Sequence, residues 1–218
     1  MRVRISVAAV GAAMLMSAGL VGLGGAPALA ADEHSCVEQE AGPPIVGTDQ
    51  PDILIGTWRD ETIVGLDGND YIDGGGGNDI ILGGLGDDEL HGGWGRDRMD
   101  GQAGDDLMFG EECGDSVTGN VGVDTVSGGP GPDQVLGGDG DDELTGNEDD
   151  DDLFGEAGND VASGNVGDDD LRGGNGDDRL FGNDGLDRLD GQAGDDVGNG
   201  GANVDICSPA TETVFFCP

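Results

Sequence analysis

The sequence predicts an all-β solenoid, and three regularities predict it. A nine-residue unit repeats eighteen times over residues 47–208 of the 218-residue chain, with no insertion or deletion. A fixed short period of this kind marks stacked repeats, in which each unit packs only on its neighbours, rather than a globular core. Glycine and acid recur at fixed phase: position 1 is Gly in all eighteen units, position 4 is Gly in thirteen, and position 6 is Asp in seventeen and Glu61 in the other. A large apolar residue falls at position 8, so the unit reads G-G-x-G-x-D-x-U-x. Its clearest copies are GGGGNDIIL (74–82), GGLGDDELH (83–91), GGDGDDELT (137–145) and GGNGDDRLF (173–181).

Taken in chain order, residues 1–30 read as a secretory signal. Arg2 and Arg4 precede an apolar stretch from Ile5 to Ala26, and Ala28-Leu29-Ala30 offers a small-x-small cleavage site. The alternative, an uncleaved membrane anchor, is opposed by Gly11, Ser17, Gly19, Gly22, Gly24 and Gly25 within the stretch. No other segment is long and apolar enough to span a bilayer. Residues 31–46 form an N-terminal cap segment, 47–208 the roll, and 209–218 a C-terminal cap.

Within each unit, Gly at positions 1 and 4 allows positive φ and close backbone approach, so positions 1–6 are expected to turn tightly with carbonyls facing inward. Positions 7–9 are expected to form a three-residue strand whose position 8 alone points inward. Leu54, Ile63, Ile72, Ile81, Leu90, Met99, Met108, Val117, Val126, Val135, Leu144, Leu153, Leu171, Leu180 and Leu189 fill that slot, while Ala162 and Gly198 leave it thin. Two units make one coil with a strand on each side, so eighteen units make nine coils, a rod of about 38 Å at strand spacing.

Units of one parity stack. The odd column holds Asp52, Asp70, Asp88, Asp106, Asp124, Asp142, Asp160, Asp178 and Asp196; the even column holds Glu61, Asp79, Asp97, Asp115, Asp133, Asp151, Asp169, Asp187 and Asp205. Eight gaps per column give at most sixteen pockets between carboxylates and turns. Short-armed carboxylates and carbonyls are hard oxygen donors suited to Ca²⁺, with nothing soft for zinc or copper.

These units resemble the repeats-in-toxin (RTX) nonapeptides of the haemolysin-type calcium-binding family. The resemblance covers most of the chain after residue 30. It implies a right-handed parallel β-roll in which Ca²⁺ is held between successive turns by the position-6 aspartates and backbone carbonyls. Together with the leader, it implies a stand-alone, Sec-exported member. Departures from the motif mark weaker sites: Glu61 in a unit lacking Gly at position 4, and Cys113, Asp149 and Asn203 at position 4 elsewhere. The strongest gaps are expected among Asp70, Asp88 and Asp106 and between Asp79 and Asp97. The gap between Glu61 and Asp79 is expected to be weak.

Charge agrees. Without residues 1–30 the chain has 47 acidic and six basic residues, net −41, which sixteen Ca²⁺ would bring to −9. Carboxylates stacked without cations repel, and a core one residue deep cannot offset them, so the calcium-free chain is expected to be disordered. Four cysteines in a secreted chain suggest disulfides. A Cys207–Cys217 bridge would fold Val214, Phe215 and Phe216 over the open end, and pairing Cys36 with Cys113 would strap the N-terminal segment along the roll.

Catalysis finds no support: His34 lies in the leader, His91 at an outward position 9, and the paired carboxylates are explained by the repeat. Turns ending in Asp repel phosphates, and the charge sign excludes nucleic acid. Two functions survive. One is a secreted calcium-binding protein with a structural or buffering role at or outside the cell surface. The other is an adhesin or polysaccharide-binding module, which would need an outward aromatic or polar ladder. Position 9 of the odd stack (Ile55, Asp73, His91, Phe109, Ser127, Thr145, Ser163, Phe181, Asn199) shows no stripe, and Trp58, Trp94, Leu107 and Phe109 are scattered.

Overall fold

The computed structural model describes residues 4–7, 36–208 and 214–216. Among them every regular element is a strand, and the strands form two parallel sheets of eleven and ten. From Ile45 to Ser208 partners lie eighteen residues apart, as Val117 with Val135 and Val126 with Leu144. Consecutive strands alternate between the sheets. The chain is therefore a parallel β-solenoid of about nine coils, two nonapeptides per coil.

The strands are longer than expected. Ile80–Leu85 and Glu89–Trp94 each run six residues, from position 7 of one unit through position 3 of the next, leaving positions 4–6 for the turn. The ladder skips position 1: Thr118 pairs with Leu136, then Asn120 with Gly138. Left-handed backbone accounts for this. Positive φ falls at positions 2 and 4, not at 1 and 4; Leu66 (86°), Gln102 (76°) and Asn120 (78°) adopt it without being glycine. Cys113 (84°), Asp149 (76°) and Asn203 (88°) keep it at position 4, so those departures preserve the turn.

Position 1 needs glycine for space instead. A Cβ on Gly92 would lie 2.6 Å from both Asp97 Oδ2 and the Gly110 carbonyl oxygen, one coil on. No side-chain carbon fits between a unit's own carboxylate and the next coil's backbone.

The core is the expected double ladder. Position-8 side chains from Leu54 to Leu189 are buried, Ala162 included, and Cys207 packs against the last of them. The ladder starts before Gly47: Ile45 is buried and pairs with Ile63, and Ala41 bridges to Asp60. Residues 38–46 thus hold the place of one further unit that lacks the motif.

At the outer edges, the backbone of Arg4–Val7 pairs in parallel with Asp52–Ile55. It falls within the expected signal segment, whose remainder lies outside the described residues, as does His34. Were export to remove it, Asp52–Ile55 would become the edge. At the far end Val214–Phe216 adds a strand beside Val197–Ala202, so the tail extends the sheet. Phe216 does not cover the core as expected; it is 75 % exposed. Cys207 is disulfide-bonded, and its expected partner Cys217 lies outside the described residues. Cys36 and Cys113 are paired, with Cα atoms 6.0 Å apart across 77 residues of chain.

Gly92→Ala should destabilise the roll by about 1–3 kcal/mol, the range for forced overpacking. Gln102→Gly, at a position 2 already left-handed, should stay within about 1 kcal/mol. Thermal unfolding at fixed calcium concentration measures both.

Candidate metal centre

The strand after each turn places the position-6 carboxylate under the turn of its own unit, and stacking aligns these carboxylates in two columns, as the sequence predicts. Asp52 through Asp205, with Glu61, are all buried. They are joined by a rung not visible in the sequence. Each backbone N–H donates to Oδ1 of the position-6 aspartate one coil later: Asp79 to Asp97 at 2.7 Å, Asp88 to Asp106 at 2.9 Å, Asp97 to Asp115 at 2.7 Å. The same bond joins Glu61 to Asp79 at 2.7 Å and Asp187 to Asp205 at 3.1 Å.

The second oxygen is left over. Oδ2 of Asp70, Asp79, Asp88, Asp97, Asp106, Asp115, Asp124, Asp133, Asp142, Asp151, Asp160, Asp169, Asp178, Asp187, Asp196 and Asp205 is buried and accepts no hydrogen bond. A buried polar atom without a partner costs about 1–3 kcal/mol, more when charged, and in native proteins it calls for an ion or water.

Asp52 and Glu61 differ. Asp52 Oδ2 accepts from the N–H and Oγ1 of Thr48, at 2.7 and 2.9 Å. The Glu61 carboxylate accepts from the N–H and Oγ1 of Thr57, at 3.0 and 2.6 Å. The cause is position 2. In units 3–18 it is left-handed; in units 1 and 2 a β-branched threonine holds it outside the positive-φ range, and its amide and hydroxyl reach the carboxylate. The first rung of each column is closed by threonine.

Burial makes the position-6 carboxylates from Asp70 to Asp187 hard to ionise. Loss of solvent, reinforced by neighbouring carboxylates, pushes Asp115 up to about 9 and Asp79 and Asp151 to about 8. It pushes Asp106 and Asp142 to about 7 and Asp160 and Asp178 to about 6. The amide donated by the previous coil opposes the shift at each of these but does not cancel it.

The donor set fits a hard divalent cation. Beside the carboxylate oxygens, carbonyls of positions 2 and 4 face the following coil: a Cβ on Gly84 would strike the Leu66 carbonyl oxygen, and one on Gly86 that of Gly68. This close approach of successive coils brings carbonyl oxygens towards each gap, suiting Ca²⁺ coordination.

A second ladder escaped sequence reasoning. Position-5 Asp and Asn side chains accept the N–H of position 5 one coil later: Asp60 from Asn78 at 2.7 Å, Asn78 from Arg96 at 2.7 Å, Asp141 from Asn159 at 2.7 Å. Position 5 holds Asp or Asn in eleven of eighteen units, a bias readable in the sequence but resembling ordinary surface acidity. His91, expected as a plain surface residue, lies between Tyr71 (5.4 Å) and Phe109 (5.0 Å) and contacts Glu111 Oε1 at 2.9 Å. Phe109 and Leu107 are half-buried, whereas Trp58 and Trp94 are exposed.

Among the described residues no helix is long and apolar enough to cross a membrane. Comparison with curated proteins gives no match. The family of the RTX calcium-binding nonapeptide repeat matches in blocks over residues 55–90, 91–126, 127–162, 163–198 and 172–206. The blocks fall on the observed coils and cover most of the chain, which therefore belongs to the RTX calcium-binding nonapeptide repeat family.

Proposed function

We propose that this chain is a secreted, non-catalytic protein that folds as it binds calcium, with a structural or buffering role at or outside the cell surface. The observation that carries the reading is the set of sixteen buried Oδ2 atoms without a partner, equal in number to the gaps between stacked units. The position-6 aspartates from Asp70 to Asp205 would hold the ions, with backbone carbonyls completing each shell. Asp52, whose Oδ2 is already engaged by Thr48, has a lesser part than the sequence suggests. Calcium would supply positive charge in each gap and relieve the stacked carboxylates; a metal-free chain must protonate them or unfold. The signal segment and the Cys36–Cys113 disulfide support export into an oxidising, millimolar-calcium environment. The adhesin alternative has one observation in its favour, the Tyr71–His91–Phe109 row, which spans only three neighbouring coils.

In chelator the chain should lack β-signal by circular dichroism at pH 7 and gain it in millimolar Ca²⁺. Mg²⁺ should substitute poorly because it demands a smaller octahedral shell. Identical spectra with and without Ca²⁺ would sink this reading.

The pH dependence follows from the raised carboxyl groups. Below their ordinary value of 3.8 the folded and unfolded carboxyls are both protonated, and burial carries no ionisation cost. As pH rises through the folded values of about 6 to 9, that favourable state is lost. Metal-free β-content should therefore be greatest near pH 4 and fall between about pH 5 and 9. With calcium it should persist at pH 8, and the calcium midpoint should rise on acidification.

Asp97→Asn should remove one or two ions from the calorimetric stoichiometry. Asp52→Asn should leave it unchanged or lower it by one at most.

A further inference from the structure

Stacked solenoids come apart from their ends, and the two ends of this one are built differently. At the C-terminal end the core slot passes through Gly198 to Cys207, and Val204 and Ile206 are 75 % and 65 % exposed. At the N-terminal end residues 36–41 run back along the even-side turns. Cys36 is bonded to Cys113, at position 4 of unit 8 in the fourth coil. The segment then passes Asp60, Asn78 and Arg96, the position-5 residues of units 2, 4 and 6. It is fastened to the first coil by the Gln39 N–H on the Asp60 carboxylate at 3.0 Å and by the Ala41–Asp60 bridge. From there Ile45–Val46 enters the even sheet.

We propose that this strap makes the first four coils a calcium-poised block, so that the roll orders from its N-terminal end and does so at low calcium only when the Cys36–Cys113 disulfide is formed. The inference rests on the calcium reading above. The first coil cannot fray away freely, because the segment preceding it is tied to the turn of the fourth. In the unfolded chain the same bond closes a 77-residue loop and removes conformations that would compete with the folded block. That loop favours folding on the order of a thousand-fold on the chain-entropy model. Spread over about six ions in the gaps from Asp52 to Asp115, this lowers the calcium midpoint of the block about threefold. Coils after residue 118 lie outside the covalent loop and gain nothing directly.

Cys113 makes a clean test possible. It occupies, at φ 84°, the left-handed position that most other units give to Gly, so Cys113→Gly keeps the turn and removes only the staple. The full chain and the double variant Cys36→Ser/Cys113→Gly are titrated with CaCl₂, and amide hydrogen exchange is followed by region. In the parent chain peptides from 41–118 should become protected at lower calcium than those from 119–208. In the double variant the 41–118 midpoint should rise about threefold, with the 119–208 midpoint little changed. Equal midpoints for 41–118 in the two proteins, or protection of 119–208 first in the parent chain, would overturn the proposal while leaving calcium binding intact. Absence of any calcium-dependent protection would overturn both.

Discussion

The rung between position-6 residues is the interaction on which the rest of the structure depends. Each Asp from Asp70 onward gives one oxygen to the backbone of the preceding coil, as in the 2.7 Å bond from the Asp79 N–H to Asp97, and leaves the other buried and unpartnered. The strand ladders set the spacing of the coils, and the hydrogen bond fixes each carboxylate within it, so like charges are held close together. One apolar side chain per nine-residue unit cannot offset both that repulsion and the entropy of ordering the unit. The fold and the cation are therefore one problem: the geometry that stacks the coils is the geometry that calls for positive charge between them.

The remaining positions make that rung possible. Position 1 must be glycine because the carboxylate of its own unit and the carbonyl of the next coil already fill the space, as at Gly92. Left-handed position 2 turns its amide away from the carboxylate, and threonine there reverses this, which is why Asp52 and Glu61 are satisfied by protein groups. The two side-chain ladders run in opposite senses. Position 5 accepts from the coil after it and position 6 from the coil before it, so an interior coil such as the one holding Asn78 and Asp79 is tied in both directions.

Much of this was legible in the sequence, and the parts that were not share a cause. The period, the core ladder of Leu54 to Leu189 and the two carboxylate columns all follow from residue type at fixed phase, while the Cys36–Cys113 strap is the pairing left once Cys207 is joined to Cys217. The strand length and the site of positive φ did not, because glycine at positions 1, 2 and 4 looks alike in sequence yet serves different ends: clearance alone at Gly92, left-handed conformation at Gly84 and Gly86. Asp and Asn at position 5 were hidden by the general acidity of the chain. Thr48 and Thr57 were the one overlooked signal of real precision, since no other unit has threonine at position 2.

Nothing in the repeat itself sets the number of coils. Asp106 to Asp124 and Asp142 to Asp160 make the same rung at 2.8 and 2.9 Å, and a further unit would add one more of the same kind. The limits come from residues that break the pattern. At the N-terminal side the threonines satisfy the first carboxylates, Ile45 and Val46 supply a strand without an acid, and the disulfide draws the preceding segment against the turns. At the other side Gly198 interrupts the core ladder and Val214–Phe216 adds a strand in which no position-6 aspartate precedes the apolar residues. A calcium ladder of identical rungs is thus given a direction by its ends, one closed by hydrogen bonds and a covalent strap, the other thinned in its core.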